Sequence, residues 1–198
     1  MSHPDAQIWN ARYLTDKGHW VRRQPYPLLR SYAERLPLAG LALEVAAGAA
    51  PAGIFLARRG LRVVAMDISE AGLRLAQQRT RELSLPLSLV VMDMSDPWLP
   101  LAGFDIILNF YFLSRPLLKC YRQALKPGGW LFFETFVKGT QRKCNPAHYL
   151  EPGELYSAFQ DWEILHWAET WKKSGSGTLS SRRIAQLVAR KNIEERNL

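Results

Sequence analysis

Four short stretches carry side chains able to hold or transform a small ligand: Glu44-Val45-Ala46-Ala47-Gly48, Asp67, Asp93 and Asn109-Phe110-Tyr111. Each follows an apolar run of strand length, so each falls where a strand gives way to a loop. Three of them supply carboxylates, which accept hydrogen bonds from hydroxyl and amino groups, and Gly48 lets the backbone approach a ligand with no Cβ in the way. Any one of these acids alone is equally a strand-end cap or a solvated turn residue. Their joint placement points to a binding edge. Asp67 comes nineteen residues after Gly48, a spacing that also suits a dinucleotide-binding turn with its ribose acid. The GxGxxG fingerprint is absent, however, and that reading leaves Glu44 and Asp93 without a task.

The elements that must present these residues follow from apolar periodicity. Residues 41–46, 62–66, 87–92, 104–109 and 130–136 read as buried strands, separated by helices over 51–59, 69–83 and 114–125. Ser69 caps the second of these helices, and Gly60 and Pro127-Gly128-Gly129 close the first and third. A helix over 152–159 precedes two further strands, 162–170 and 182–189. The short turn Lys173-Ser174-Gly175-Ser176-Gly177 between those strands requires an antiparallel hairpin. Two helices, 4–16 and 26–36, open the chain. The expected fold is α/β: a single-domain, Rossmann-like, seven-stranded, mostly parallel sheet with helices on both faces and a C-terminal antiparallel hairpin. Residues 1–38 form a helical cap or lid, 39–136 the binding core, and 137–198 a loop, helix and hairpin on the acceptor side. In such open sheets ligands bind at the carboxyl ends of the strands, where the strand order reverses.

Composition narrows the function classes. With 198 residues, 47% hydrophobic and 22% charged, the chain is globular and has the length of one domain, which excludes disordered and fibrous classes. Two cysteines, Cys120 and Cys144, are too few for a disulfide framework and lack zinc-site spacing, so no metal is expected and a reducing cytosol is the expected compartment. No secretory signal or membrane span is expected: the apolar run 36–57 is broken by Glu44, Pro37, Pro51 and three glycines. The net charge of +8 and pI near 9.7 favour an anionic partner. Yet the basic residues are scattered as pairs such as Arg22-Arg23, Arg58-Arg59 and Arg190-Lys191, the pattern of a solvated face.

The stretch LALEVAAGAAPAGIFLARRGLRVVAMDIS resembles the first two motifs of class I S-adenosylmethionine-dependent methyltransferases, and VVMDMSDPWLP, FDIILNFYFL and LKPGGWLFFETF resemble those that follow. Within that superfamily, WNARY (9–13) and NPAHYLEPGEL (145–155) are similar to segments of small tellurite-resistance-like and thiopurine-methyltransferase-like enzymes. The resemblance implies S-adenosylmethionine as cofactor. It gives Gly48 the close approach to that cofactor, Asp67 the ribose hydroxyls and Asp93 the adenine amino group, with Met94 packed on the ring. Glu44 then orients the loop or lies near the methionyl amine. Ala46, Ala50, Ile68, Asn109 and Phe110 complete the cofactor-binding set. The family pattern is acidic-x-Gly-x-Gly-x-Gly, of which this chain keeps only the middle glycine. Alanine at the flanking positions costs about 1 kcal/mol if its φ is positive. Because Pro51 already sets the helix start, the loop is expected to relax to ordinary dihedrals, which would make Ala50→Gly neutral.

Methyl transfer is in line from sulfur, so catalysis is mainly positioning, with a base needed only where the nucleophile must lose a proton. Tyr111 and His148 are the candidate catalytic residues, with Cys144, Asn145 and Tyr149 shaping the acceptor pocket; Phe110 and Tyr111 are equally core aromatics. His166 alternates within a strand. Trp9, Arg12, Tyr13, His19 and Trp20 are expected to fold over the cofactor, with Arg12 toward its carboxylate. Lys138, Arg142 and Lys143 are placed to hold an anionic acceptor. Amino methylation of nucleic-acid bases is disfavoured because no proline follows Asn109, and carbon methylation of cytosine because Cys120 lies inside a helix. The expected acceptor is a small molecule, with an anionic one favoured by the positive charge. An RNA or other macromolecular methyltransferase and a binding-only module are the alternatives.

Overall fold

The apolar runs that begin at Leu41, Arg62 and Phe104 become neighbouring parallel strands, because segments largely buried on both faces can satisfy their amides only by pairing. In the computed structural model, which describes residues 3–15, 24–95, 97–139, 146–173 and 181–193, these are β1 (Leu41–Val45), β2 (Arg62–Asp67) and β4 (Phe104–Phe110). With β3 (Leu87–Val91), β5 (Leu125–Phe136), β6 (Glu163–Lys173) and β7 (Ser181–Arg190) they form one sheet in the order β3-β2-β1-β4-β5-β7-β6. The first five strands are parallel, and β7 lies antiparallel between β5 and β6. The strand order reverses between β1 and β4, and the carboxyl ends of those two strands open the crevice where a ligand is expected.

Helices cover both faces. α2 (Pro27–Ser31) and α3 (Pro51–Ala57) pack over Ala42, Ile106, Leu108 and Phe132, while α5 (Arg115–Ala124) and α6 (Glu154–Phe159) pack over Leu43, Ile107, Leu131 and Phe133. α4 (Glu70–Glu82) is capped as expected, Ser69 Oγ accepting the Gly72 N–H at 3.1 Å. It meets the sheet through a small-residue seam of Ala47, Ala50, Ala65 and Ala76. α1 (Pro4–Thr15) lies against α4. Among the described residues no helix is long and apolar enough to cross a membrane.

Three expected boundaries shift. The helix over 26–36 is instead α2 followed by a separate 3-10 turn at Ala33–Arg35. Ser31 Oγ turns back to the Leu28 carbonyl (2.9 Å), and the Tyr32 ring is drawn edge-on to Trp130 and Phe132. β5 begins at Leu125, ahead of Pro127, because Leu125 already pairs with Phe104 and a register shift absorbs the following residues. α6 starts at Glu154, behind Gly153 with φ 78°. The hairpin pairing of β6 with β7 is as expected, although residues 174–180 of its turn lie outside the described residues.

Tyr121 on α5 is fully buried edge-on to Phe133, and its hydroxyl has no hydrogen-bond partner among the described residues. A buried unpaired hydroxyl is destabilising. Tyr121→Phe is therefore expected to raise stability by about 1 kcal/mol, seen as a higher denaturant midpoint at unchanged slope; a fall in stability contradicts the unpaired assignment.

Candidate active site

The loop after β1 is built around Glu44. Its carboxylate is 3% exposed and accepts the N–H groups of Ala52 (3.3 Å) and Gly53 (2.6 Å) at the start of α3, where the orphan amides of a helix need acceptors. Residue 53 has to be glycine for this contact, since a Cβ there would lie 2.7 Å from Glu44 Oε2. Burial pushes the Glu44 carboxyl up to about 8, against the pull of the two amides. Of the two roles open to Glu44, orienting the loop is the one the geometry displays. Ala46 (φ 49°) and Ala50 (φ 48°, ψ 50°) are both left-handed. The expected relaxation to ordinary dihedrals is therefore corrected: the loop keeps the backbone course of the glycine pattern and carries the strain of alanine in it, since Glu44 fixes α3 from one side and β1 fixes the other.

Asp67 ends β2 beside that loop. One oxygen accepts the Gly48 N–H and the other the Ser69 N–H, each at 2.7 Å, and burial raises its carboxyl above the usual range. Gly48 and Gly72 face each other across a cradle filled by Tyr13 of α1: a Cβ on Gly48 would lie 2.0 Å from the Tyr13 hydroxyl, and one on Gly72 would lie 2.9 Å from its ring. Burial, with Asp67 and Glu44 close by, raises the Tyr13 phenol strongly. α1 is also tied down at Asn10, whose Oδ1 accepts from Ser69 Oγ (2.8 Å) and Ala71 N (3.0 Å). At its start, His3 approaches Asp93 (3.6 Å). The lid expected from Trp9, Arg12 and Tyr13 is thus a helix lying over the carboxyl edge of β1 to β3. Arg12 stacks on Trp9 at 4.5 Å and is exposed. His19 and Trp20 lie outside the described residues.

Asp93, just past β3, is half-exposed, accepts the Ser95 N–H (2.8 Å), and is held below the usual carboxylate range chiefly by that bond. Ile68 is partly exposed next to Asp67, whereas Met94 is buried in the core below. Asn109 ends β4 directly against β1, in register with Val45. It is 1% exposed, and neither its amide nitrogen nor its oxygen has a hydrogen-bond partner among the described residues. Phe110 is buried with its ring stacked on Tyr26 at 3.8 Å.

A second cluster, absent from the sequence reading, surrounds Tyr111. This residue has φ 60°, and its phenol donates to Glu134 Oε1 and accepts from Lys172 Nζ (2.7 Å). Glu134, fully buried on β5, also receives Lys172 Nζ at 2.9 Å and Gln186 Nε2 at 2.7 Å, and Gln186 Oε1 faces His166 Nε2 at 3.4 Å. An acid inside the apolar run Trp130-Leu131-Phe132-Phe133-Glu134 was the available signal, because a buried charge demands partners. Phe136 lies 5.2 Å from the Tyr111 ring, Tyr149 lies 5.8 Å from Phe136, and Arg182 sits over Phe136 at 5.3 Å. His148 is exposed on the turn Pro146–His148. Lys138, expected to meet an anionic acceptor, is instead paired with Glu151, because the bridge between Val137 and Leu150 brings the two side chains together. Arg142, Lys143, Cys144 and Asn145 lie outside the described residues. A cavity of about 380 Å³ lined by Arg35, Asp105, Trp130 and Arg190 opens at the opposite edge of the sheet and contains none of these groups.

A profile of the methyltransferase domain family matches residues 42–129. No curated protein sequence matches the chain. Among solved structures it is similar to TehB from Haemophilus influenzae (TM-score 0.74, 16% identity, covering 93% of this chain and 67% of that one). It is also similar to geranyl diphosphate C-methyltransferase from Streptomyces coelicolor A3(2) (0.69, 16%, 94% and 96%). A third is 1,6-didemethyltoxoflavin-N1-methyltransferase from Burkholderia thailandensis (0.68, 16%, 94% and 87%). At these identities the likeness is one of fold.

Two measurements test this geometry. Ala46 is partly exposed, so Ala46→Gly should relieve left-handed strain and stabilise the protein by about 1 kcal/mol. Ala50 is fully buried, so Ala50→Gly should be near neutral, the relief offset by about 0.8 kcal/mol of lost methyl burial. Equal effects at the two positions contradict the assignment. The raised carboxyls of Glu44 and Asp67 bind protons more tightly in the folded than in the unfolded chain. Stability is therefore expected to fall as pH rises from the ordinary glutamate range through about 8. Thermal melts across that window should show the slope in the parent protein and a markedly flatter profile in Glu44→Gln.

Proposed function

We propose that the chain, whose residues 42–129 match a methyltransferase-domain profile and whose fold is similar to that of solved methyltransferases, binds S-adenosylmethionine and transfers its methyl group to a small-molecule acceptor. The carrying observation is the crevice between β1 and β4: a glycine cradle, two carboxyls raised by burial, and the unpartnered amide of Asn109 meet there. These groups suit a cofactor with an ammonium, a carboxylate, a ribose diol and an adenine. A carboxylate oxygen that accepts one amide retains acceptor capacity, so Asp67 can hold the loop and still receive ribose hydroxyls. Ile68, Asp93 and Met94 lie toward the adenine end. Gly48, Asn109 and the left-handed Ala46 and Ala50 lie toward the methionyl end, with Glu44 behind them. When bound, the sulfonium supplies a methyl carbon already activated for in-line displacement. The chain's own contribution is to hold the two reactants in line and keep water out. α1 is the cover for that step, and Tyr13 leaves the cradle or re-seats as the cofactor enters.

Several observations support a small acceptor over RNA. Many basic side chains are engaged within the fold: Arg59 with Glu34 and the Ala33 carbonyl, Arg122 with Asp161, Arg183 with Glu169, and Lys191 with the Arg122 and Leu125 carbonyls. Such pairs do not make a stripe that tracks phosphates. The acceptor side is walled by Tyr111, Phe136 and Tyr149, and two of the similar structures are named for small-molecule acceptors. With Lys138 paired, Arg182, 5.3 Å over the Phe136 ring, is a cation that suits an anionic substituent. We take residues 1–198 as one catalytic domain in the cytosol, where the free thiol of Cys120 is at home.

Calorimetry should find one site per chain for S-adenosylmethionine and for S-adenosylhomocysteine. Asp93 is exposed enough that Asp93→Asn should leave the melting temperature unchanged while weakening both ligands by about 1.5–3 kcal/mol through the loss of a charged acceptor. Absence of binding, or equal binding by the variant, contradicts the cofactor assignment.

A further inference from the structure

We propose that Tyr111 and Glu134 form a proton-accepting site for the methyl acceptor, and that the acceptor is therefore a planar molecule whose nucleophilic atom carries a proton, an aromatic O–H or ring N–H. This rests on the methyltransferase reading above and adds to it the class of substrate and the residues that discharge its proton.

Tyr111 is the first residue past β4 and stands at the edge where β4 meets β1. Its backbone is left-handed, a conformation unfavourable for a bulky residue, and its N–H is committed to the Glu134 carbonyl at 2.7 Å. This bend sets the phenol onto the Glu134 carboxylate. Glu134 is fully buried yet has groups around it from three other strands: Tyr111 just after β4, Lys172 on β6, Gln186 on β7, with His166 behind Gln186 and Arg182 further along β7. A purely structural ion pair needs only Lys172. Here the carboxylate has a phenol between itself and the crevice, and Lys172 donates to both oxygens, holding the phenol and the carboxylate in one line. Rings from Tyr26 and Phe136 flank Tyr111 at 5.7 and 5.2 Å, which suits a flat acceptor.

The step balances. The acceptor's X–H proton passes to the Tyr111 oxygen as the Tyr111 proton passes to Glu134 Oε1. The X–H electron pair remains on X and forms the bond to the methyl carbon of the sulfonium donor, and the carbon–sulfur pair returns to sulfur. Glu134 ends neutral, and the proton leaves to solvent after product release. Glu134 acts through Tyr111, which is the group that meets the acceptor.

The test compares binding of 4-nitrophenol and of its O-methyl counterpart, 4-nitroanisole, to the full chain with and without S-adenosylhomocysteine. The wild-type protein should prefer the phenol by at least about tenfold, the cost of leaving the buried acceptor system without a donor. Glu134→Gln should abolish that preference while S-adenosylhomocysteine binding stays within about twofold. Should Glu134→Gln not fold, Tyr111→Phe, which removes only the phenolic oxygen, must give the same loss. Equal affinity of the wild type for the two probes, no binding of either, or an undiminished preference in the variants overturns the inference. Failure to bind S-adenosylhomocysteine at all overturns instead the cofactor reading on which it rests.

Discussion

One carboxylate sets the geometry on which the crevice depends. Glu44 leaves β1 into a space that excludes water, and two amides at the head of α3 are its compensation. Because those amides belong to consecutive residues, their positions fix both the start and the direction of α3. The chain between Val45 and Pro51 must then turn sharply enough to take left-handed dihedrals at two alanines. The same turn brings the Gly48 amide to Asp67 and leaves the glycine cradle open to α1. Loss of the acid would thus release a helix, a loop and the β2 carboxylate together, which is why an interaction that raises its own proton affinity is retained.

The three buried acids around the crevice are compensated in two different ways. Glu44 and Asp67 are compensated by neutral backbone amides and carry the cost of burial as raised proton affinity. Glu134 is compensated by a full cation, Lys172, with a phenol and an amide besides. The first pair lies on the β1–β2 side and the second on the β5–β7 side, with β4 between them. The two sides of the crevice are therefore distinct electrostatically as well as topologically, and they meet at the stretch Asn109-Phe110-Tyr111.

Most of the β1–β3 side of the crevice was legible in the sequence because its signals are local. Strand runs, the Ser69 cap, the Gly60 stop and the nineteen-residue spacing from Gly48 to Asp67 depend on neighbours along the chain. The dihedrals of Ala46 and Ala50 were not legible, since residue type favoured relaxation and only the long reach of Glu44 to Gly53 overrides it. The β5–β7 side was less legible for the same reason. Tyr111 was picked out, but its partners Glu134, Lys172 and Gln186 are 23, 61 and 75 positions away and converge only through the sheet order. The break in the 26–36 helix was likewise set by contacts of Tyr32 with Trp130, Phe132 and the Leu165 carbonyl, none of them near in sequence.

The cover over the crevice is held by forces unlike those of the core beneath it. On α1 only Ala6 is buried, while Ile8 and Leu14 stay exposed, so little apolar area resists its removal. Its hold comes from two hydrogen bonds to Asn10, a half-exposed approach of His3 to Asp93, and the Tyr13 ring between two glycines. Of these, the His3–Asp93 approach is exposed, contributes little and is screened by salt. Phe110, by contrast, is fixed to Tyr26 in the apolar core and cannot serve as a movable wall. Among the described residues, α1 is the element over this edge with the least apolar burial. Any ligand that fills the cradle must therefore displace Tyr13 while leaving the Glu44 turn intact.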